Sequence, residues 1–293
     1  MDISLLIKYG KTSLQFALIM LVLLACNPDL DYRVTGYTQK IMVEGSIEAG
    51  KYPNVYLTLN VPLWKTLDSA TVLDHVIRYA KVSITDGEKT EILTSKWDKT
   101  HFPPYVYQGT ELSGEAGKNY QLKVEYSGYT LTANTHLPAP TPIDSLQFKP
   151  SGKSDSLVAI VVWVNLAATN QTGIRLFSKK PRDNRFIETP VVYNNQLNLN
   201  GKQELTLSPK PLRSDSSYAD GPYFRLGETV DILISTIDPA ATRFFDGLSS
   251  FSTLTDNIGT TEIKPLPSNI SEPGFGIWYG SGSKYYRIKV GRE

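Results

Sequence analysis

From Lys40 onward the chain alternates apolar and polar positions with a period of two, as strands do when one face is buried. In "KIMVEGSIEAG" the residues Ile41, Val43 and Ile47 fall on one side, and in "PNVYLTLNV" Val55, Leu57, Leu59 and Val61 do the same. "AKVSITDGEKTEIL" predicts a hairpin turning at Asp86-Gly87. The clearest hairpin is "NYQLKVEYSGYTLTANTHL": Tyr120, Leu122, Val124 and Tyr126 line one face, Gln121, Lys123 and Glu125 the other, and Ser127-Gly128 makes the turn. One apolar and one polar face per strand predicts sheets packed on one side, hence sandwiches.

"LPAPTPID" then places Pro138, Pro140 and Pro142 close together. Proline has no amide donor and cannot sit in a central strand, so this stretch reads as a domain boundary. Beyond it, Leu157 to Val164 reads as a strand buried on both faces, "GIRLFSKK" and "ETVDILISTID" as further strands, and Tyr285 to Val290 as the last one. "DPAATRFFDGL" predicts a helix, with Asp238 as cap, Pro239 in the first turn, and Ala241, Phe244, Phe245 and Leu248 on one face. The pattern as a whole predicts a mostly β chain. It comprises two β-sandwich domains of immunoglobulin or fibronectin type, over 40–140 and 141–293, with one short helix in the second.

The opening residues follow another logic. Lys8 and Lys11 precede Leu14 to Leu24, a run without charge in which Gln15 is the one polar residue. That run is too short to span a bilayer, and a basic start, a short apolar core and a small residue before a break describe a secretory signal over 1–25. The break, Leu23-Leu24-Ala25-Cys26, resembles the bacterial lipobox, and it contains the only cysteine of the chain. In that resemblance Cys26 takes a diacylglycerol thioether, the chain is cut after Ala25, and the new amine is acylated. Two or three acyl chains hold a protein on a membrane where one does so only marginally. The bland alternative is a chance cysteine at the end of a buried helix. Residues 26–39 then form a lipidated tether. Asn27 stands where an inner-membrane retention aspartate would be, and Asp29 and Asp31 resemble the acidic export signal of surface lipoproteins.

With Cys26 acylated, no disulfide forms within the chain, so burial alone must stabilise the core. Apolar residues at 41% are sufficient for that. The net charge of +1 is accounted for by Lys8, Lys11 and Asp2, leaving a neutral body with no electrostatic case for nucleic acid or anionic lipid as a partner.

Little in the sequence points to catalysis. His75, His101 and His136 lack metal-ligand spacing, and no metal or other cofactor is expected. "WYGSGSKYY" has a superficial likeness to a phosphate cradle but reads as a tight turn. Asp215 and Asp220 could take a cation, or simply lie in a solvated loop. Lys179, Lys180, Arg182 and Arg185 read as a solvated turn. Trp97, Phe102, Tyr105 and Tyr107 could stack on sugars or anchor a partner, and strand packing is the preferred reading. Asp68-Ser69-Ala70, Asp144-Ser145-Leu146 and Asp155-Ser156-Leu157 resemble an O-glycosylation signal of exported proteins.

Taken together, these residues resemble a lipoprotein family of Bacteroidota, domain of unknown function 4249. The resemblance rests on Ile41, Val43, Glu44 and Gly45; on Ala80, Val82, Ile84, Asp86 and Gly87; on Gly117, Tyr120, Leu122 and Val124; and on Pro138, Pro140, Ile143 and Asp144. Ser268, Asn269 and Ile270, followed by Gly274 to Ile277, look like its late glycine-aromatic signature, here widened by Ser271-Glu272-Pro273. The resemblance implies no catalytic residues. It implies an outer-membrane lipoprotein, at the cell surface or alternatively on the periplasmic face, and the preferred reading is a surface-exposed protein that is not an enzyme and accompanies a TonB-dependent nutrient transporter. Alternatives are a structural or adhesion role, or a surface hydrolase. Partner contact is expected in the late loop, at Asn269, Phe275, Trp278 and Tyr279, with a packed turn as the competing reading.

Overall fold

The computed structural model describes residues 37–62, 71–99, 101–165, 172–189, 193–194, 202–209, 220–254 and 266–291. Cys26, where acylation is expected, and the segment before it lie outside them. In chain order the strands are β1 (Ile41–Glu48), β2 (Asn54–Leu59), β3 (Lys81–Thr85), β4 (Thr90–Ile92), β5 (Thr94–Trp97), β6 (Tyr105–Gln108), β7 (Asn119–Tyr126), β8 (Tyr129–His136), β9 (Ile143–Pro150), β10 (Leu157–Asn165), β11 (Gly173–Lys179), β12 (Ile187–Glu188), β13 (Tyr193–Asn194), β14 (Lys202–Leu207), β15 (Phe224–Arg225), β16 (Thr229–Ile237) and β17 (Gly274–Lys289). Among the described residues a 3-10 helix, Thr71–His75, precedes β3, and an α-helix, α1 (Pro239–Leu254), separates β16 from β17. The protein is thus mostly β, and its sheets lie in one unit formed by Gln39–Val61 and Leu67–Glu293.

Where the alternation is strong, the expected elements form. Ser127 and Gly128, with φ of 48° and 83°, turn β7 into β8, and Tyr126 pairs with Tyr129. Gly87, at φ 95°, turns β3 into β4. Strand β10 is flanked by β14 and β9, and Val158, Ile160, Val161, Val162 and Val164 are all buried. Asp238 caps α1 by accepting the Ala241 amide at 2.7 Å. Ala241 and Phe245 pack inward, while Leu248 of the expected apolar face is exposed.

Three features depart from the sequence reading. The last strand is sixteen residues long and begins at Gly274, not Tyr285. Its first half pairs in parallel with β1, Ile41 with Gly274 through Glu48 with Ser281, and its second half pairs antiparallel with β16. A nine-stranded sheet results, in the order β12-β11-β16-β17-β1-β2-β6-β5 with β13 also on β11. The expected boundary near residue 140 therefore separates two cores but not two sheets. One core joins Ile41, Val43, Val55 and Leu57 to Val82, Ile84, Leu122 and Leu131 of the four-stranded sheet β4-β3-β7-β8. The other joins Ile174, Leu176, Ile232 and Ile234 to Ile160, Val162, Leu205 and Leu207 of the sheet around β10. Strand β17 contributes Trp278 to the first core and Tyr286 and Ile288 to the second, which Val290 just beyond it also joins. These residues all sit at even positions, so both small sheets cover the same face of the large one.

The third departure is "GSGS", which is strand and not a tight turn. A Cβ at Gly280 would lie 2.6 Å from the His136 carbonyl oxygen, and one at Gly282 would lie 2.4 Å from that of Pro138. The proline segment crosses the sheet directly over these glycines. It is held there by the Thr141 amide donating to Thr236 Oγ1 at 2.9 Å and the Ile143 amide donating to Tyr286 Oη at 2.9 Å.

One buried carboxylate shapes the first core's rim. Glu91, 8% exposed, accepts the backbone amides of Thr110, Glu111 and Leu112. Burial pushes its pKa up, but these amides outweigh burial and hold it below the usual glutamate value. A depressed folded pKa means that the stabilisation is complete at neutral pH, above the unfolded value, and is lost as pH falls through the folded value. Glu91→Gln is expected to cost about 2–3 kcal/mol at pH 7. It should also flatten the acid limb of a stability-versus-pH curve below about pH 4, measured by urea unfolding.

Candidate functional site

The late loop expected to meet a partner enters the sheet where β17 has β1 on one side and no strand on the other. Asn269 takes the place of that missing strand. Its Oδ1 accepts the Trp278 amide at 3.0 Å, and its Nδ2 donates to the Trp278 carbonyl at 2.7 Å and to the Asn134 carbonyl at 3.3 Å. Ser271 adds a second tie to β8, donating its amide to the Thr132 carbonyl and accepting the Thr132 amide on Oγ, at 2.9 and 2.8 Å. Ser268 Oγ accepts the amides of Ile270 and Gly276, both at 3.1 Å. The loop is thereby a clasp between the large sheet and β8.

The four side chains nominated there divide. Trp278 is fully buried and donates Nε1–H to the Tyr120 carbonyl at 3.2 Å, so no partner reaches it while the sandwich is closed. Asn269 is engaged with backbone. Phe275 and Tyr279, at odd positions, lie on the opposite face from Trp278. Tyr279 meets Phe245 of α1 edge-on, with ring centroids 5.3 Å apart.

Beside Tyr279 stands a group the sequence did not mark. Arg175 pairs bidentately with Glu188, Nε at 2.6 Å and Nη2 at 2.8 Å, and Nη1 donates to Tyr279 Oη at 3.2 Å. Its guanidinium lies 3.9 Å from the centroid of the Phe245 ring. Burial pushes the Tyr279 hydroxyl pKa up, against the lowering influence of Arg175. Burial also disfavours the Arg175 charge, but Tyr279 and Glu188 outweigh it and hold that pKa above its usual value. The cluster is saturated by its own members and pins α1 to the sheet.

Other charged groups are likewise engaged. Lys180 approaches Glu228 at 3.4 Å and lies over Phe224, and Arg182 reaches Glu228 at 3.9 Å. Arg287 clamps Asp231, and Arg225 clamps Asp220, one of the two aspartates considered for a cation. Asp215 lies outside the described residues. Lys179, Lys180, Asp231 and Arg287 line a cleft of about 340 Å³. A second cleft of about 540 Å³ is walled by Phe148, Pro150, Lys153, Asp155 and Leu157. His75 sits against the Thr71 carbonyl, His136 against Asn119, and His101 stacks on Tyr56. Among the described residues no three of His, Cys, Asp and Glu gather as a metal site. Among them, too, no helix is long and apolar enough to cross a membrane.

The aromatic stretch of β5 and β6 proves to have two roles. Tyr107 is core, its hydroxyl donating to the Ile77 carbonyl at 3.0 Å and accepting the Ala80 amide at 2.9 Å. Trp97 and Phe102 stand in solvent, 49% and 67% exposed. Strict alternation cannot separate these cases, because β5 is an edge strand.

Over residues 26–287 the chain matches the family described as Domain of unknown function (DUF4249). No curated protein matches it. Among solved structures, a chain titled "Cytokine receptor complex - Crystal form 1A" is similar at 9% identity and a TM-score of 0.23, over 68% of this chain and 85% of that one. A likeness at that level carries no functional argument.

Proposed function

Because the chain belongs to the DUF4249 family, and the match begins at Cys26, we propose that it is a lipid-anchored protein of the outer membrane. It is displayed at the cell surface in the manner of Bacteroidota lipoproteins and serves a TonB-dependent transporter as a non-enzymatic accessory. The observation that carries this reading is the coincidence of two boundaries. The family match starts at the residue where the apolar leader ends and acylation is expected. The anchor confines the protein to two dimensions and so raises its effective concentration beside a membrane partner.

Two measurements test it. Cys26→Ala should abolish the added lipid mass and release the protein from membranes. A variant that still sediments with membranes at unchanged mass overturns the anchor. Purification from native outer membranes in mild detergent should bring a transporter along. Recovery of the lipoprotein alone, under conditions that keep known complexes intact, overturns the accessory role.

A further inference from the structure

The exposed Trp97 and Phe102 lie at one end of the large sheet. Strand β2 runs antiparallel to β1, with Leu59 opposite Ile41, so the chain enters the sheet beside Leu59. Strand β6 runs antiparallel to β2, with Val55 opposite Tyr107, and so its first residue, Tyr105, points toward that same end. Trp97 is paired with Tyr105, and the turn 98–104 between them projects there. The β1–β2 turn, with Tyr52 46% exposed, is at the other end.

Both ends of the turn are tied to the sheet. The Asp98 amide donates to the Pro104 carbonyl at 2.7 Å, and Tyr56 Oη donates to Asp98 Oδ2 at 3.2 Å. The His101 ring stacks on Tyr56 at 3.7 Å. Tyr105 is fixed by Trp97 edge-on at 5.0 Å and by the Arg78 guanidinium 5.1 Å from its centroid. Beyond that base Phe102 stands out in water, three residues along the chain from the exposed Lys99, and Tyr79 next to Arg78 is 90% exposed. An apolar tip with indole and phenol rings behind it and a lysine in the same turn matches the layering of a bilayer interface, where Trp and Tyr concentrate and Lys reaches phosphate.

We propose that this hairpin tip seats on the lipid surface to which the chain is anchored, with Phe102 and Trp97 entering the headgroup region. The inference rests on the Cys26 anchor proposed above. Fourteen residues, Asn27 to Lys40, join that anchor to β1, and even fully extended they reach only ~50 Å. The end of the sheet that receives them is the end that carries the tip. A second membrane contact there converts a free tether into a fixed orientation.

The test uses the full-length acylated protein, in which a thioether at Cys26 leaves an introduced cysteine as the one free thiol. Lys99→Cys and, as the distant control, Tyr52→Cys are labelled with an environment-sensitive fluorophore. Each is reconstituted into vesicles of phosphatidylethanolamine and phosphatidylglycerol, with and without brominated acyl chains. The label at 99 should shift to shorter wavelength and be quenched by bromine, while the label at 52 stays unquenched. Adding Trp97→Ser and Phe102→Ser to Lys99→Cys should remove both signals without loss of flotation. Protein that floats with the vesicles while position 99 is as wet as position 52 overturns the inference and leaves the anchor standing. Protection at 99 that appears only in native outer membranes assigns the tip to a protein partner and overturns the lipid contact. Protein that does not float overturns the anchor, and the inference with it.

Discussion

Trp278→Ala should lower the unfolding free energy by about 3–5 kcal/mol, at the upper end for truncation of a buried aromatic. The indole is fully buried in the first core, and its one polar group is matched by the Tyr120 carbonyl. Removing it leaves a cavity under the parallel β1–β17 pair. Gly45 is its direct partner across the pair, and a Cβ there would lie 2.8 Å from the indole ring. Gly45→Ala should therefore destabilise the native protein yet cost much less in the Trp278→Ala background, a coupling that a double-mutant cycle reads directly. Urea midpoints should shift while the slope holds, and Trp97→Ala, at an exposed site, should stay within about 0.5 kcal/mol of the parent. A Trp278→Ala protein with an unmoved midpoint overturns this account of the first core.

The second large effect is expected at Gly276. Its φ of 130° is one that side chains rarely adopt, and a Cβ would fall 1.9 Å from the Val43 carbonyl oxygen. Gly276→Ala thus combines backbone strain of about 1–3 kcal/mol with a clash that only separation of β1 from β17 relieves. The expected outcome is a loss of about 3 kcal/mol or more, with faster amide exchange along β1. Gly128→Ala is the matched comparison. Its φ is 83°, but nothing lies within 4 Å, so strain alone acts and about 1–2 kcal/mol is expected. Equal costs at the two sites would mean that contact with Val43 contributes nothing.

These glycines show where the sequence could be read and where it could not. Alternation is a local signal and placed β7 and β8, a continuous apolar run placed β10, and Asp238-Pro239 placed the cap of α1. The β1–β17 pair joins residues more than two hundred positions apart, and no local pattern encodes it. "GSGS" has turn chemistry when read alone. Its glycines are explained only by the backbone of 136–140 lying across them. Proline marked a real change of core at Pro138 to Pro142, but the sheet beneath it continues. In the late loop Asn269 and Trp278 stood out for their residue types, and both serve packing. The sequence could not distinguish buried Tyr107 from exposed Trp97, because that depends on which strand is the edge.

Strand β17 has a consequence for biosynthesis. It follows every other described strand in the chain, and both cores include its side chains. A nascent chain that stops short of it lacks Trp278 for one core and Tyr286 and Ile288 for the other, so neither hydrophobic interior can close before β17 is made. For the exported lipoprotein proposed above, late completion keeps the chain slack during its passage across a membrane, after which β17 locks both halves together.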